Sequence, residues 1–503
     1  MPQKINIILG PPGTGKTHNL LSLVEKEIAR GTPPDRIGFF AFTKKAANEA
    51  KERAKIKFKL EDKQLPYFRT LHSFAFNQLG MTTSEVMSRS NYKEFSLNYG
   101  MDLGSVTEGE DAGGSITTDN RLINEINLAR MKNMELDHYY NEANLDVSWH
   151  ALLRASLSLE EYKQKREVFD FTDMLQLFLA SGTVPKLEVV FIDEAQDLSK
   201  LQWEVAKRAW SKSHTVYISG DDDQAIFRWA GADVEHFITM PATHVDILKK
   251  SYRCPRVVHK LANSIIGRVK HRRSKEWEGR DYMGEVRYHA YPEGVDLRKG
   301  EWLIMGRTNY LLDEVERDIR NQGLLYQRNN RLPISQKLLE AVKAWHLLEE
   351  GAEIELQSIK DIYSYMSTKI GVEHGHKQLR MATDEVKYSI ESLVMHHGLL
   401  VAGRPWDVAF DKVGSKDKEY LRAIENRQGT SALEKPLINL STIHGAKGGE
   451  AQNVMLLTDL SRKARENMEY DPDDESRVFY VGLTRAKESL HIVQPQRDGG
   501  FVL

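Results

Sequence analysis

One cysteine, Cys254, stands among 503 residues. No disulfide can form within the chain, which fits a reducing compartment. Taken alone, Cys254 reads as a small buried apolar residue. Long apolar runs are also missing. None approaches the ~18 residues of a membrane span, so no membrane role is expected. The start shows no basic segment leading into an apolar run with a small-residue cleavage site, so secretion is not expected and the expected location is cytoplasmic. Nor is there an excess of one charge: 70 Lys and Arg face 72 Asp and Glu. Any polynucleotide contact must therefore come from local basic grooves rather than a whole-molecule field. Two such concentrations exist, Lys51 to Lys63 and Arg268 to Lys275. Each reads equally well as a solvated helix face. Repeats of ~20–50 residues and low-complexity tracts are absent.

What is present is a soluble globular composition long enough for about two to four domains. Short β-branched runs alternate with longer amphipathic stretches, the pattern of parallel sheets covered by helices. Candidate strands are 5–10, 36–43, 189–195 and 215–221, then a second set at 301–308, 437–445, 451–458 and 489–493. Two sheets with separate cores are expected. Two long intervals between them, about 80 to 185 and 328 to 435, lack strand signals and exceed any loop of a compact domain. They are expected to be helical insertions. The acidic, glycine-rich stretch 107–118 is expected to be a mobile loop, and 467–476 an exposed acidic connector.

Gly10-Pro11-Pro12-Gly13-Thr14-Gly15-Lys16-Thr17 follows a candidate strand and precedes a candidate helix. In that context the motif is a phosphate-binding loop. Glycines let backbone amides wrap a phosphate, and the helix N-terminus faces the same anion. Lys16 is expected to reach the β- and γ-phosphates of ATP, and Thr17 to ligate Mg²⁺. The run VVFIDEAQD delivers Asp193 and Glu194 to the end of a buried strand. A hydrolytic ATPase needs such a pair: Asp193 for the metal and Glu194 for the attacking water.

Together with further motifs, DEAQD resembles the UvrD/Rep/PcrA family of superfamily 1 DNA helicases. The resemblance covers both lobes, from residue 7 to about 493, and leaves the two insertions poorly matched. It implies an α/β fold of two RecA-like parallel-sheet lobes, each with a mainly helical insertion. The first lobe would comprise 1–80 and 186–250, with insertion 81–185. The second would comprise 251–327 and 436–503, with a reduced insertion 328–435. FFAFTKKAANEAKERA (39–54) and FRTLHSFAF (68–76) resemble family segments lining a single-strand channel. The resemblance makes Thr43, His72 and Phe74 candidates for DNA contact, with core packing an equal reading for Phe74. FDFTDML (169–175) resembles another family segment, and its aspartates read equally as helix caps. GDDDQAIFRWAGAD (220–233) resembles a motif in which Gln224 senses the γ-phosphate while Phe227 and Trp229 offer rings to bases. LKKSYRCP (248–255) implies Tyr252 on the adenine and Arg253 at the γ-phosphate. GRTN (306–309) makes Arg307 a channel candidate. LSTIHGAKGGEAQNV (440–454) implies Thr442, His444 and Lys447 at the DNA backbone and Glu450 at the ribose. SRVFYVGLTRAKESLHIV (476–493) implies Arg485 as an arginine finger. With Arg253 and Arg485 on the second lobe, hydrolysis would require closure of the lobes, which would move two DNA-gripping surfaces.

Departures from the pattern matter. Relatives carry a longer segment ahead of the first strand, including a glutamine that reads the adenine edge. Here the strand starts near Ile5, and Gln3 lies too close to serve. The second insertion is shorter than usual, and Gly449 replaces a larger apolar residue. The resemblance implies an ATP- and Mg²⁺-dependent helicase moving 3′ to 5′ on single-stranded DNA and at single-strand/duplex junctions. It further implies a monomer working beside replication or repair proteins in a bacterial or phage-infected cell. Two alternatives stay open: a translocase that strips proteins from single strands without useful unwinding, and an ATP-gated DNA clamp. A P-loop small-molecule kinase does not explain Gln224, Trp229 or the arginines.

Overall fold

The computed structural model describes residues 3–108, 116–379, 387–496 and 499–503. The chain forms two compact units: Met1–Gly284 with Asn467–Thr484, and Glu285–Glu466 with Arg485–Leu503.

In the first unit the strands are β1 (Lys4–Leu9), β2 (Ile37–Phe40), β3 (Phe68–Arg69), a ribbon of β4 (Val106–Glu108) and β5 (Ile116–Thr118), then β6 (Val189–Ile192), β7 (Thr215–Gly220) and β8 (His244–Ile247). Six of them form a parallel sheet in the order β3-β2-β6-β7-β1-β8. The strands β2 and β6 are buried along their whole length, as expected of a sheet covered on both faces. One apolar layer gathers Phe74, Phe178, Trp203 and Phe237 beneath it. The other gathers Leu20, Val24, Phe39 and Phe191. The central order β6-β7-β1 brings the three carboxyl ends that carry Asp193, Asp221 and Gly10 next to one another. That is where ligands sit in open parallel sheets.

The first insertion is helical, with helices Arg89–Tyr99, Arg121–Met131, Leu136–Glu142, Trp149–Arg166 and Phe171–Ser181. It has its own core around Tyr92, Phe95, Leu152 and Tyr162. Of the expected mobile loop 107–118, residues 109–115 lie outside the described residues. Its flanks pair as the β4–β5 ribbon.

The second unit carries β9 (Glu285–His289), β10 (Trp302–Gly306), β11 (Tyr326–Arg328), β12 (Ile438–Thr442), β13 (Ala451–Leu457) and β14 (Ala486–Val493). They form a parallel sheet in the order β11-β12-β10-β13-β14-β9. Its helical insertion packs into the sheet's own core: Trp345, Tyr363 and Phe410 share one cluster with Ile304, Leu440 and Met455.

Three expectations change. Residues 251–284, assigned in sequence to the second lobe, fold in the unit that carries the phosphate loop. The physical reason is direct bonding: Ser251 Oγ donates to the Pro12 carbonyl at 2.7 Å. The stretch 467–476 is not a connector. It ends one helix and opens Pro472–Leu483, with Asp471 as N-cap, and Asp471 and Asp474 accept from Arg228. The basic run 268–275 is partly internal. Arg272 pairs with Asp223, Arg273 donates to the Met240 carbonyl, and Lys275 is enclosed by Asp221, Asp222 and Asp223.

In the second unit His346 is held by two carboxylates, Glu425 at 2.8 Å and Glu349 at 3.2 Å. The hydrogen bond to Glu425 raises the imidazole above its ordinary value, against the opposing effect of burial. A raised histidine contributes stability in full below its unfolded value, near 6.5, and loses it as pH climbs through the folded value. The denaturation midpoint of the second unit is therefore expected to fall as pH rises from about 6 towards 8. His346→Gln flattens that dependence, as urea melts at several pH values would register.

Candidate nucleotide site and nucleic-acid face

The strand β1 runs straight into the phosphate loop, and the Gly10 amide donates to the Gly220 carbonyl at the end of β7 (3.0 Å). Gly10 has no room for a Cβ, because the Lys16 side chain occupies that space. Gly13 and Gly15 hold φ of 71° and 80°, the left-handed region that glycine enters without cost. Thr14 closes the turn by donating to the Pro11 carbonyl (2.7 Å). Gly15 is the N-cap of helix Lys16–Ala29 and offers no side-chain acceptor. The first-turn amides thus face the loop's concavity, the usual place for a phosphate. Lys16 Nζ sits within it, 3.1 Å from the Gly10 carbonyl and 3.6 Å from Glu194.

Across the loop, Thr17 Oγ1 donates to Asp193 Oδ2 at 2.8 Å. Asp193 is almost fully buried. Burial, then repulsion from Glu194, pushes its carboxyl up to about 6. A hard cation on Thr17 and Asp193 would relieve both effects, so the oxygen donors fit Mg²⁺. Glu194 adopts φ 51°, an uncommon conformation for a side-chain-bearing residue that costs on the order of 1–3 kcal/mol. It turns the carboxylate from the strand end towards Lys16. Gln224, nearly buried, donates to Asp221 Oδ2 at 2.6 Å.

Tyr252 and Arg253 reach the same loop. The Tyr252 amide donates to the Gly13 carbonyl at 2.8 Å, and Arg253 packs on Gly13 so closely that a Cβ there would collide with it. The Tyr252 ring is 69% exposed, which suits a stacking face. Ser251, overlooked in the sequence, holds this arm: its Oγ also accepts from the amides of Arg253 (3.2 Å) and Cys254 (3.1 Å). Cys254 is buried, as its lone occurrence suggested. Gln3 donates to the carbonyls of Trp210 and Ser213 at the opposite end of the sheet, so it plays no part near the loop.

The nucleic-acid candidates of the first unit divide. Phe74 is 0% exposed and packs edge-on against Phe40, Tyr67 and Phe178. A ring closed off from solvent cannot meet a strand, so Phe74 is core. His72 is buried edge-on to Phe171. Burial, helped by Lys44, pushes its imidazole down to about 4, so it is neutral and offers no charge to a phosphate. Thr43 is the N-cap of helix Lys44–Phe58, accepting from the Ala46 amide. Phe227 is nearly buried and stacks on Phe42 with centroids 5.8 Å apart. It supports Trp229, which stands 56% exposed. The platform is therefore Trp229, with Phe227 as its footing. Asp170 and Asp173 cap helix Phe171–Ser181 reciprocally and pair with Arg130 and Lys163.

In the second unit Arg307 follows β10 and Thr442 ends β12, whose register sets Gly306 opposite Thr442. His444 and Lys447 lie on the turn after β12, which Thr442 Oγ1 closes by accepting from the Gly445 amide. These four candidates share one end of the sheet. Glu450 pairs with Lys487 at 2.6 Å. Arg485 is buried at the head of β14, where it donates to the Gly449 carbonyl.

Comparison with known proteins is consistent with this arrangement. A profile of the UvrD/REP helicase N-terminal domain matches residues 1–244, and one of the UvrD-like helicase C-terminal domain matches residues 437–493. The chain is similar to a probable DNA helicase II homolog of Mycoplasma genitalium, 23% identical over 97% of this chain and 82% of that protein. It is also similar to the ATP-dependent DNA helicase PcrA of Bacillus subtilis, 24% identical over 72% of this chain and 50% of that protein. PcrA of Staphylococcus aureus is 22% identical over 72% of this chain and 51% of its own length. The chain thus spans about half the length of the PcrA proteins it matches.

Phe74→Ala is expected to cost ~3–5 kcal/mol of stability, the price of a large core cavity, while the affinity of the folded fraction for oligonucleotide stays as in the parent. Chemical denaturation beside fluorescence-anisotropy titration measures both. A loss of affinity without loss of stability would return Phe74 to the interface.

Proposed function

Because the chain belongs to the UvrD/REP helicase family, whose members are DNA-dependent ATPases, we propose that it is an ATP-driven motor on single-stranded DNA that unwinds duplex ahead of it. The single observation that carries this reading is the segment 220–231. Gln224 lies at its start beside Asp221, and the exposed Trp229 projects five residues later from a footing on Phe227. A nucleotide sensor and a base-stacking ring on one short, packed segment favour an enzyme whose hydrolysis responds to a polynucleotide.

In this reading the amides of Gly10–Thr17 and Lys16 bind the β- and γ-phosphates of ATP. Thr17 and Asp193 hold Mg²⁺, which neutralises phosphate charge when bound. Glu194 orients and deprotonates the attacking water. Gln224 senses the γ-phosphate. Tyr252 stacks on the base, and Arg253 approaches the phosphate from its seat on Gly13. Arg485 is proposed as a second guanidinium for the transferred phosphoryl, and Glu450 as the ribose contact. Thr43, Trp229, Arg307, Thr442, His444 and Lys447 are the proposed strand contacts. The proposed direction is 3′ to 5′, on single strands and at duplex junctions.

The test is ATP turnover with and without single-stranded DNA, followed by unwinding of duplexes with 3′ or 5′ tails and by displacement of a bound protein. DNA-stimulated turnover with unwinding from a 3′ tail is expected. Turnover indifferent to DNA would end the motor reading. Protein displacement without unwinding would replace it with the translocase alternative. Lys16→Ala and Glu194→Gln are each expected to abolish hydrolysis. Trp229→Ala should raise the DNA concentration for half-maximal stimulation about fivefold or more, since a stacked base is worth ~1–3 kcal/mol. No change in that concentration would mean that bases do not stack there. Half-maximal DNA should also rise steeply with salt if phosphates dominate the contact.

A further inference from the structure

Gln196 lies between the hydrolytic carboxylate and the sensor, and is fully buried. Its Nε2 donates to Glu194 Oε2 at 2.6 Å and to Asp197 Oδ2 at 3.1 Å. Its Oε1 accepts from the Asp221 amide at 2.9 Å. Asp221 in turn accepts from Gln224. The approach is tight: a Cβ on Gly220 would lie 2.7 Å from Gln196 Oε1. A side-chain amide offers two N–H donors to the carboxylates at one end and a carbonyl acceptor to the backbone N–H at the other. Glu194 Oε1 faces Lys16 while Oε2 meets Gln196, so both oxygens of the hydrolytic carboxylate have a defined partner.

We propose that Gln196 is a positioning residue for hydrolysis. It fixes Glu194 in the orientation that activates water, and through Asp221 it ties that orientation to the state of Gln224. The strand ends β6 and β7 set this geometry, since they are paired neighbours and the amide bridges their tips. When Gln224 leaves Asp221 for a γ-phosphate, Asp221 loses one of its donors, and the change reaches Glu194 through the Gln196 amide that bonds to both. Sensor and base then respond together. The inference rests on the ATPase reading given above.

The test uses the full chain with Gln196→Glu and Gln196→Met. The first keeps volume and removes the donor, and the second keeps length and removes both bonds. Turnover at saturating ATP, the dissociation constant of a fluorescent ATP analogue and the thermal melt are measured together. Expected is a fall in kcat of about 10–100-fold, as for other groups that orient a reacting ligand. Analogue affinity should stay within about threefold, the signature of an interaction that matters in the transition state. A kcat within about twofold of the parent, or a loss shared equally by kcat and analogue affinity, would overturn the proposal. If Gln196→Met does not fold, Gln196→Glu decides alone. In the pair Gln196→Met/Gln224→Ala the combined loss should be smaller than the product of the single losses, and a full product would break the proposed link to the sensor. If parent turnover ignores DNA, the motor reading falls while this test still runs on basal turnover.

Discussion

Asp193 is a carboxylate that water scarcely reaches, at the end of a strand with no polar side chain along it. Burial and then Glu194 raise its carboxyl to about 6, even with Thr17 and Lys16 pulling it down. Keeping it charged requires a positive partner, and the phosphate loop is shaped to bring one. Thr17 donates to it from the first turn of the helix, and Lys16 stands nearby between Gly10 and Glu194. The glycines of the loop follow from the same demand. A side chain at Gly10 would evict Lys16, and one at Gly13 would evict Arg253. The loop, the strand end and the arm from 251 to 254 are thus mutually dependent, and each closes space that the others need.

Buried charge is handled in the same way elsewhere in the first unit. Asp221, Asp222 and Asp223 would be costly inside the fold without compensation. Burial alone would drive the Lys275 ammonium towards neutrality, yet the three aspartates raise it above its usual value. Arg272 completes the group with a two-pronged contact to Asp223. In the insertion, Arg130 and Lys163 do the same for Asp170 and Asp173, and Asp170 stays well below the ordinary carboxylate range despite its burial. These clusters explain why basic residues in the sequence are a poor guide to a nucleic-acid surface here. Within the run 268–275, Arg272 and Lys275 are spent on internal acids and Arg273 on backbone carbonyls. Several lysines of 51–63 likewise meet Asp62, Glu52, Glu61 or Glu25.

What was legible from residue order follows a physical division. Strands buried on both faces, such as β2 and β6, are continuous apolar runs and were visible. Besides the short β4–β5 ribbon, four strands escaped notice, β3, β8, β9 and β11, and these are the outermost strands of the two six-stranded sheets. An edge strand is short and polar because one side lacks a neighbour, and so it loses the apolar signature. The phosphate loop and the DEAQD run were legible because their chemistry is local. Gln196 and Ser251 were not, since their roles depend on partners 25 and 239 residues away. Phe74 was ambiguous for a related reason. An aromatic in a short helix carries the same letter whether it faces a strand of DNA or Phe178, and only packing decides.

On the proposed reading, the segment that begins at Gly220 would carry a chemical event at phosphate to a distant ring without any long lever. Gly220 ends a buried strand, and Asp221, Asp222 and Asp223 are pinned by Lys275, Arg272 and the guanidinium of Arg477 on the Asp222 carbonyl. That anchorage leaves Gln224 as the part with a second choice of partner. Beyond it, Phe227 is braced by Phe42 and Arg228 by Asp471 and Asp474, so the platform end is equally fixed. Between the two anchored ends lies a short buried turn, Gln224 to Ile226. Movement confined to so few residues transmits displacement rather than absorbing it. On the proposed reading, the exposed indole of Trp229 would register small shifts of Gln224, and a stacked base would bias Gln224 in return, because coupling between two sites is reciprocal.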